Sequence, residues 1–419
     1  MVGWEGAFKF PDGAKNPAPT SGSTGYWPVP PECMSNAMID NAHAPAVARE
    51  AHASVVRHLY VHIPFCARIC PYCAFYKERA DPVQTGRFCA ALLSELRSLA
   101  HRFDLQLETI FFGGGTPTAL STAQLEFLLR GMREELDLSH LTEWTIEANP
   151  GSVSARKAAL LQDMGVTRVS LGVQSWDDQL LTVLGREHNA AQAEESFRIL
   201  RGAGLGSVNI DLMFGLPGQT LACWESTLAR TVALQPDHVS AYCLTYEEDT
   251  EFFLRHARGE YRSDVETDAR FFETTMQMLE AGGFRQYEIS NYARAGHESA
   301  HNRGYWAGDD YLGLGPSAFS TVGAQRWQNI ADYRLYSDRI FAGEAAIHSN
   351  EPLSAETKRA EQIALSLRTR WGVPTEWLEP WPAERAEFVE LGLLRGANDR
   401  FVLTERGKLL ADTVAAAFV

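Results

Sequence analysis

No run of about 18 apolar residues occurs in this chain, so nothing in it reads as a membrane-spanning helix. Positive charge is scarce: 38 Lys and Arg face 53 Asp and Glu, a formal charge of −15, and no long basic run is present. Nucleic-acid binding rests on neutralising phosphates, so it is not expected here. Cysteine is also sparse and odd in number, seven in 419 residues, which excludes a disulfide framework. The first 32 residues lack the basic start and apolar centre of a secretory signal and are too poor in arginine for a mitochondrial address. These absences together predict a cytoplasmic protein kept in reducing surroundings.

What is present is a chain long enough for two or three domains and able to bury its apolar surface without disulfides. Residues 1–55, rich in Pro, Gly, Ser and Thr, read as a flexible extension. From there short apolar runs recur, beginning at His58, Glu108, Glu143, Arg168, Ser207 and His238, each bounded by Gly, Pro, Asn or Ser. Helical periodicity fills the gaps. Leu125, Leu128, Leu129 and Met132 share one face, and Ser121 with Gln124 has the spacing of a capping box. Six strand–helix units in series predict a partial (β/α)6 barrel of the TIM type over residues 56–290. Residues 291–419 predict a smaller α+β domain. It begins with a loop-rich stretch and ends in a winged-helix-like unit, for which the acidic chain makes docking a better role than DNA.

Chemistry in such folds gathers at the C-terminal ends of strands, and the notable motifs lie there. Cys66, Cys70 and Cys73 follow the first strand with the spacing CxxxCxxC. Thiolates are soft ligands that select iron–sulfur clusters, zinc or copper. A structural zinc wants four ligands, and no second CxxC pair exists. Three thiolates can hold three irons of a 4Fe–4S cube. The fourth iron is then open to chelate the amino and carboxylate groups of S-adenosylmethionine (SAM), the arrangement that yields a 5′-deoxyadenosyl radical. The second strand ends in Gly113–Gly114–Gly115–Thr116–Pro117, where consecutive glycines permit close approach of backbone to a ligand. Glu147, Gln174 and Asp211 stand at the third, fourth and fifth strand ends, with Arg186 in a following loop. They offer hydrogen bonds to ribose hydroxyls and a partner for a carboxylate. Cys89 adjoins the helical stripe of Phe88, Leu92, Leu96 and Leu99 and reads as core.

On YVHIPFC (Tyr60–Cys66), GGGTP (Gly113–Pro117), GVQS (Gly172–Ser175) and NIDLMFGLPGQT (Asn209–Thr220), the chain resembles the radical SAM superfamily. More narrowly it resembles oxygen-independent coproporphyrinogen III oxidase and its relatives, from about residue 56 to the C-terminus. The resemblance implies that Cys66, Cys70 and Cys73 ligate the cluster. It implies that Tyr60 and Tyr72 line the SAM site, that Gly114, Gly115 and Thr116 meet SAM's amino-acid portion, and that Glu147, Gln174, Arg186 and Asp211 complete that site or a neighbouring one. Two features separate branches of the family. The oxidases continue CxxxCxxCxC, whereas Phe75 stands at the fourth cysteine's place here. The haem chaperone branch carries an HNxxYW motif, present here as His301–Asn302–Arg303–Gly304–Tyr305–Trp306.

The resemblance therefore implies a haem chaperone that binds haem, with His301 as a haem contact, and passes it to respiratory haemoproteins, some of them at the membrane; cluster-linked dimerisation belongs to the same expectation. By residue chemistry alone, a buried His301 hydrogen-bonded in an interdomain loop is the favoured reading of the motif. The alternative function is oxygen-independent coproporphyrinogen III dehydrogenase, in which the radical abstracts hydrogen from propionate side chains that then lose carbon dioxide. A further radical SAM activity on a tetrapyrrole stands behind both.

Overall fold

The strand from Val55 to Ile63 (β1, VVRHLYVHI) is buried at six of its nine positions, as expected of a β-branched, aromatic run with neighbours on both sides. A computed structural model describes residues 55–79, 81–262 and 264–419; the expected extension, but for Val55, lies outside them. After β1 come two short paired strands, β2 (Phe65–Cys66) and β3 (Glu78–Arg79), which bracket the cysteine loop.

The repeating units follow in order. They are α1 (Pro82–Arg102), β4 (Asp104–Gly114), α2 (Thr122–Glu135), β5 (Glu143–Ala148), α3 (Ala155–Asp163) and β6 (Arg168–Gln174). Next come α4 (Asp178–Val183), α5 (Ala190–Gly202), β7 (Ser207–Phe214), α6 (Leu221–Leu234) and β8 (His238–Cys243). Strands β1, β4, β5, β6, β7 and β8 are hydrogen-bonded in that order and all parallel. The expected capping box at the start of α2 is present, with Ser121 and Gln124 each accepting the other's backbone N–H. Phe88, Cys89, Leu92 and Leu96 of α1 lie in the main core.

The remaining elements extend this sheet. After α7 (Glu251–Ala257) and α8 (Val265–Ala281), β9 (Arg285–Glu288) and β10 (Asn291–Ala293) add antiparallel strands beyond β8. The helix α9 (Ala300–Ala307) precedes β11 (Tyr311–Leu314), which returns to pair in parallel with β1. Then β12 (Phe319–Val322), β13 (Gln325–Asn329) and, after α10 (Tyr333–Phe341), β14 (Ile347–Pro352) continue as an antiparallel meander. The result is one 12-stranded sheet.

Its curl is visible in what one helix touches. The first turn of α9 bonds to Glu143 of β5 and Thr109 of β4, and Ser299 just before it bonds to Tyr287, whose hydroxyl meets His238 of β8. A flat sheet could not bring β4, β5 and β8 to one helix end, so the parallel strands wrap into a partial barrel with α9 across its N-terminal mouth.

Local sequence did not show that α9 is a helix. The stretch around it is rich in Gly, Asn and aromatics and reads as loop. Its caps explain the difference: Ser299 caps one end, Gly308 adopts a left-handed conformation (φ 77°) at the other, and the Glu143 carboxylate, 158 residues away from His301, accepts two more N–H groups.

A second small core holds the C-terminal unit. It joins α11 (Ala355–Leu367), β15 (Val373–Pro374), α12 (Pro382–Glu390), β16 (Leu394–Ala397), β17 (Arg400–Leu403), α13 (Glu405–Lys408) and α14 (Ala411–Ala416) around Ile363, Leu378, Leu394 and Val414. The hairpin of β16 and β17 turns at Asn398, whose φ is 55°. Among the described residues no helix is long and apolar enough to cross a membrane.

Candidate functional site

At the C-terminal mouth the glycine turn and the cysteine loop are tied backbone to backbone. The N–H groups of Gly115 and Thr116 donate to the carbonyls of Ile63 and Phe65, at 2.8 Å each. None of the three glycines tolerates a side chain. A Cβ on Gly113 would fall 3.1 Å from Glu147 Oε2, on Gly114 2.6 Å from the His62 ring, and on Gly115 2.6 Å from the carbonyl carbon of Pro64. Gly114 also has φ 103°, which L-residues rarely adopt. The glycines thus let the turn close onto Glu147, His62 and the backbone that leads into Cys66.

Cys66 is buried, while Cys70 and Cys73 are half-buried, and all three are free thiols. Burial pushes the Cys66 thiol up to about 11, with the Thr116 hydroxyl and the Arg186 guanidinium pulling the other way. Burial raises Cys73 too, opposed by the Lys77 ammonium and the Phe75 N–H. Cys70 and Cys73 both raise Cys66, and Cys70 raises Cys73, which places the three within electrostatic reach. Among the described residues no three His, Cys, Asp or Glu side chains converge on a single-ion site. Thiolates that share a polynuclear cluster surround a larger body and need not converge so tightly. Three soft donors on one loop, packed beside a glycine turn, therefore fit an iron–sulfur cluster.

A polar chain connects two of the thiols. Thr116 Oγ1 lies 3.6 Å from Cys66 Sγ and accepts from Asn149 Nδ2 at 2.8 Å. Asn149 Oδ1 accepts from Arg186 Nη2 at 2.5 Å, and Arg186 Nη1 points to Cys70 Sγ at 3.6 Å. The carbonyl of Gly172 fixes the same guanidinium at 2.7 Å. Arg186 and Thr116, expected as SAM contacts, each lie beside a cysteine sulfur. Tyr72 lies among Cys70, Cys73 and Arg186, its phenol pushed up by burial, and packs on Leu180, Leu184 and Phe252.

Below the mouth the barrel interior is polar. Glu147 receives the N–H of Gly114, and burial raises its carboxyl. Asp211, also raised by burial, is deeper than the sequence implies. It lies three residues before the end of β7, where Ser170 and Asn209 donate to it at 3.0 and 2.7 Å. Gln174 ends β6 beyond a bulge, with φ 68°, beside Gly172. Tyr60 also lies inside the barrel, stacked on Phe111, and its hydroxyl donates to His62 Nδ1 at 3.1 Å. His62 in turn donates from Nε2 to the carbonyl of Tyr76, and burial holds it neutral, its pKa lowered to about 4.

His301 does not join the cysteines. It sits at the opposite mouth, buried, with its ring stacked on Phe111 and its Nδ1 2.7 Å from Thr109 Oγ1. Four residues of β4 separate Thr109 from Gly113, about 13 Å of strand. The same Thr109 oxygen meets His58 Nδ1 at 2.8 Å, and His58 Nε2 meets Asp309 at 3.4 Å. Thr109 Oγ1 thus bridges the two imidazoles, one from β1 and one from α9. Gly304, the fourth residue of the HNxxYW motif, is pressed against the His58 ring, where a Cβ would come within 2.3 Å.

Sequence reasoning missed Asn149, His62 and Glu143. Asn149 carried a local sign, being the polar residue between β5 and Pro150. The other two gain their roles only from partners distant in the chain.

The sequence profile of the radical SAM superfamily matches residues 60–230. Among curated proteins the chain is 35% identical over 376 residues to the haem chaperone HemW of Bacillus subtilis (strain 168), covering 87% of this chain and 99% of that protein. It is 37% identical to HemW of Mycobacterium tuberculosis (strain ATCC 25618 / H37Rv), with 85% and 93% covered. Among solved structures it matches the Escherichia coli coproporphyrinogen III oxidase HemN, a radical SAM enzyme, with a TM-score of 0.77 at 24% identity, over 88% of this chain and 91% of that one. That last likeness is one of fold.

Proposed function

Because the chain belongs to the HemW haem chaperone family within the radical SAM superfamily, we propose that it carries haem and hands it to respiratory haemoproteins in the cytoplasm or at the membrane face, using a 4Fe–4S cluster and SAM. The observation that supports this most is a cysteine–glycine mouth kept whole in a chain related along nearly its full length to such chaperones. Cys66, Cys70 and Cys73 would hold the cluster. Bound there, it supplies one-electron reducing power and an open iron for SAM.

The chain's own residues do the rest. Gly114 and Gly115, closed onto His62 and Pro64, would present their backbone to the amino-acid end of SAM, and the buried carboxylates of Glu147 and Asp211 offer acceptors to ribose hydroxyls. Tyr72 and its apolar neighbours Leu180, Leu184 and Phe252 shield the loop from water. His301 is the proposed haem contact. An imidazole suits an axial ligand, but here the ring is covered by Phe111, so contact requires α9 to draw back.

The test is titration of haem into the full-length protein, followed by its Soret band, beside an anaerobic assay with coproporphyrinogen, SAM and a reductant. We expect haem binding in the wild type, weakened in His301→Ala, and no protoporphyrinogen. Absence of haem binding, or formation of protoporphyrinogen, overturns the chaperone reading. Unchanged binding by His301→Ala removes that residue alone.

A further inference from the structure

Asn149 occupies a position that few side chains can fill. Its carbonyl oxygen accepts from Arg186 Nη2 and its amide nitrogen donates to Thr116 Oγ1, at 2.5 and 2.8 Å. Because the Thr116 oxygen already accepts from Asn149, its own proton is free to point at Cys66 Sγ, 3.6 Å away. Because Arg186 Nη2 is held by Asn149 and Gly172, Nη1 is aimed at Cys70 Sγ, also 3.6 Å away. One amide therefore orients both donors, one on each of two thiols. Aspartate could keep the arginine but not donate to the threonine, and an aliphatic side chain could do neither.

The residue's backbone is anchored as well. Its backbone carbonyl accepts from both the N–H and the hydroxyl of Ser152, at 3.0 and 2.6 Å. On its other side Gly172 leaves just enough space, since a Cβ there would meet Asn149 Oδ1 at 3.0 Å. A turn-forming role before Pro150 would direct the side chain back to its own backbone; instead it bridges two other segments. The third thiol, Cys73, stands outside this chain and faces Lys77 and the Phe75 N–H.

We infer that Asn149 is a positioning residue of the iron–sulfur site, aligning the Thr116 hydroxyl on Cys66 and the Arg186 guanidinium on Cys70 and thereby setting the reduction potential of the cluster. The inference rests on the cluster assignment above. Hydrogen bonds and positive charge at ligand sulfurs favour the more negative, reduced cluster and so raise its potential. Weakening them lowers it.

The experiment is a potentiometric titration of the anaerobically reconstituted full-length protein, followed by electron paramagnetic resonance without SAM, with iron and sulfide assayed on the same samples. Asn149→Leu and Asn149→Asp are expected to keep wild-type iron content and to shift the midpoint to more negative potential. Thr116→Val is expected to shift it in the same direction. The double variant Asn149→Leu/Thr116→Val should fall short of the sum, since the two residues act through one bond. An unchanged midpoint in Asn149→Leu with iron retained overturns the inference. So does loss of iron from both Asn149 variants, which would make the residue merely structural. A wild type that takes up no cluster overturns the cluster assignment itself, a result distinct from either.

Discussion

His62 makes a quantitative claim about acid. Its ring lies beneath the glycine turn, donating to the Tyr76 carbonyl at 3.0 Å and accepting from Tyr60. Burial lowers its pKa from 6.5 to about 4. Between those values the unfolded chain binds a proton that the folded chain refuses. Its contribution to stability is thus complete above pH 6.5 and is lost as pH falls toward 4. At about 1.4 kcal/mol per unit, the 2.5-unit depression amounts to about 3 kcal/mol. Glutamine at this position can make both hydrogen bonds without titrating. Urea unfolding of wild type and His62→Gln at pH 7, 6 and 5 should therefore show the wild type losing stability faster, by up to about 1.4 kcal/mol per pH unit. Glu95, whose carboxyl burial pushes up to about 7, works in the opposite sense, losing stability as pH rises toward 7, and His188, lowered to about 4, works in the same sense as His62. Both are common to the two proteins and cancel in the comparison. Equal slopes in the two proteins, or a folded-state titration of His62 near 6.5 by NMR, would refute the reasoning.

Two further outcomes follow from the same geometry. Gly114→Ala forces a side chain into a left-handed backbone and against the His62 ring; it should cost about 2–3 kcal/mol in urea unfolding and abolish SAM binding to the reconstituted protein by calorimetry, and retained SAM binding would sink the turn's proposed role. Glu143→Ala strips partners from Ser299 Oγ and from the N–H groups of Ala300 and His301; about 3 kcal/mol of stability should go, together with the hydrogen-exchange protection of α9, and protected α9 amides would show that its cap lies elsewhere.

The parts of this molecule that were legible in its sequence are those fixed by short-range pattern. The six parallel strands announced themselves because buried strands flanked by turn residues are locally distinct. The cysteine loop and glycine turn did so because ligand spacing and bare backbone are chemical statements in themselves. Asp211 was legible as a polar residue of the fifth strand but not in depth, since strand register decides how far inside the barrel it falls. The HNxxYW segment read as loop because its decisive cap, Glu143, arrives from another strand. Arg186 and Thr116 were found as candidate SAM contacts, yet their bonds to Asn149 and to sulfur depend on three loops meeting, which no linear pattern records.

The pairing of β1 with β11 has a consequence for how the molecule is made. His58 lies opposite Tyr311, about 250 residues later in the chain. At roughly 5–20 residues per second of synthesis, the first stave of the barrel emerges from the ribosome some 10–50 seconds before its outer neighbour exists. Throughout that interval it presents a buried-type strand with one unsatisfied edge, which is the kind of surface that recruits wrong partners. Closure is also a contact of long sequence separation, and such contacts form late. The newborn chain is thus most exposed to misassembly at the very strand that leads into its cysteines, and the C-terminal third ends that exposure.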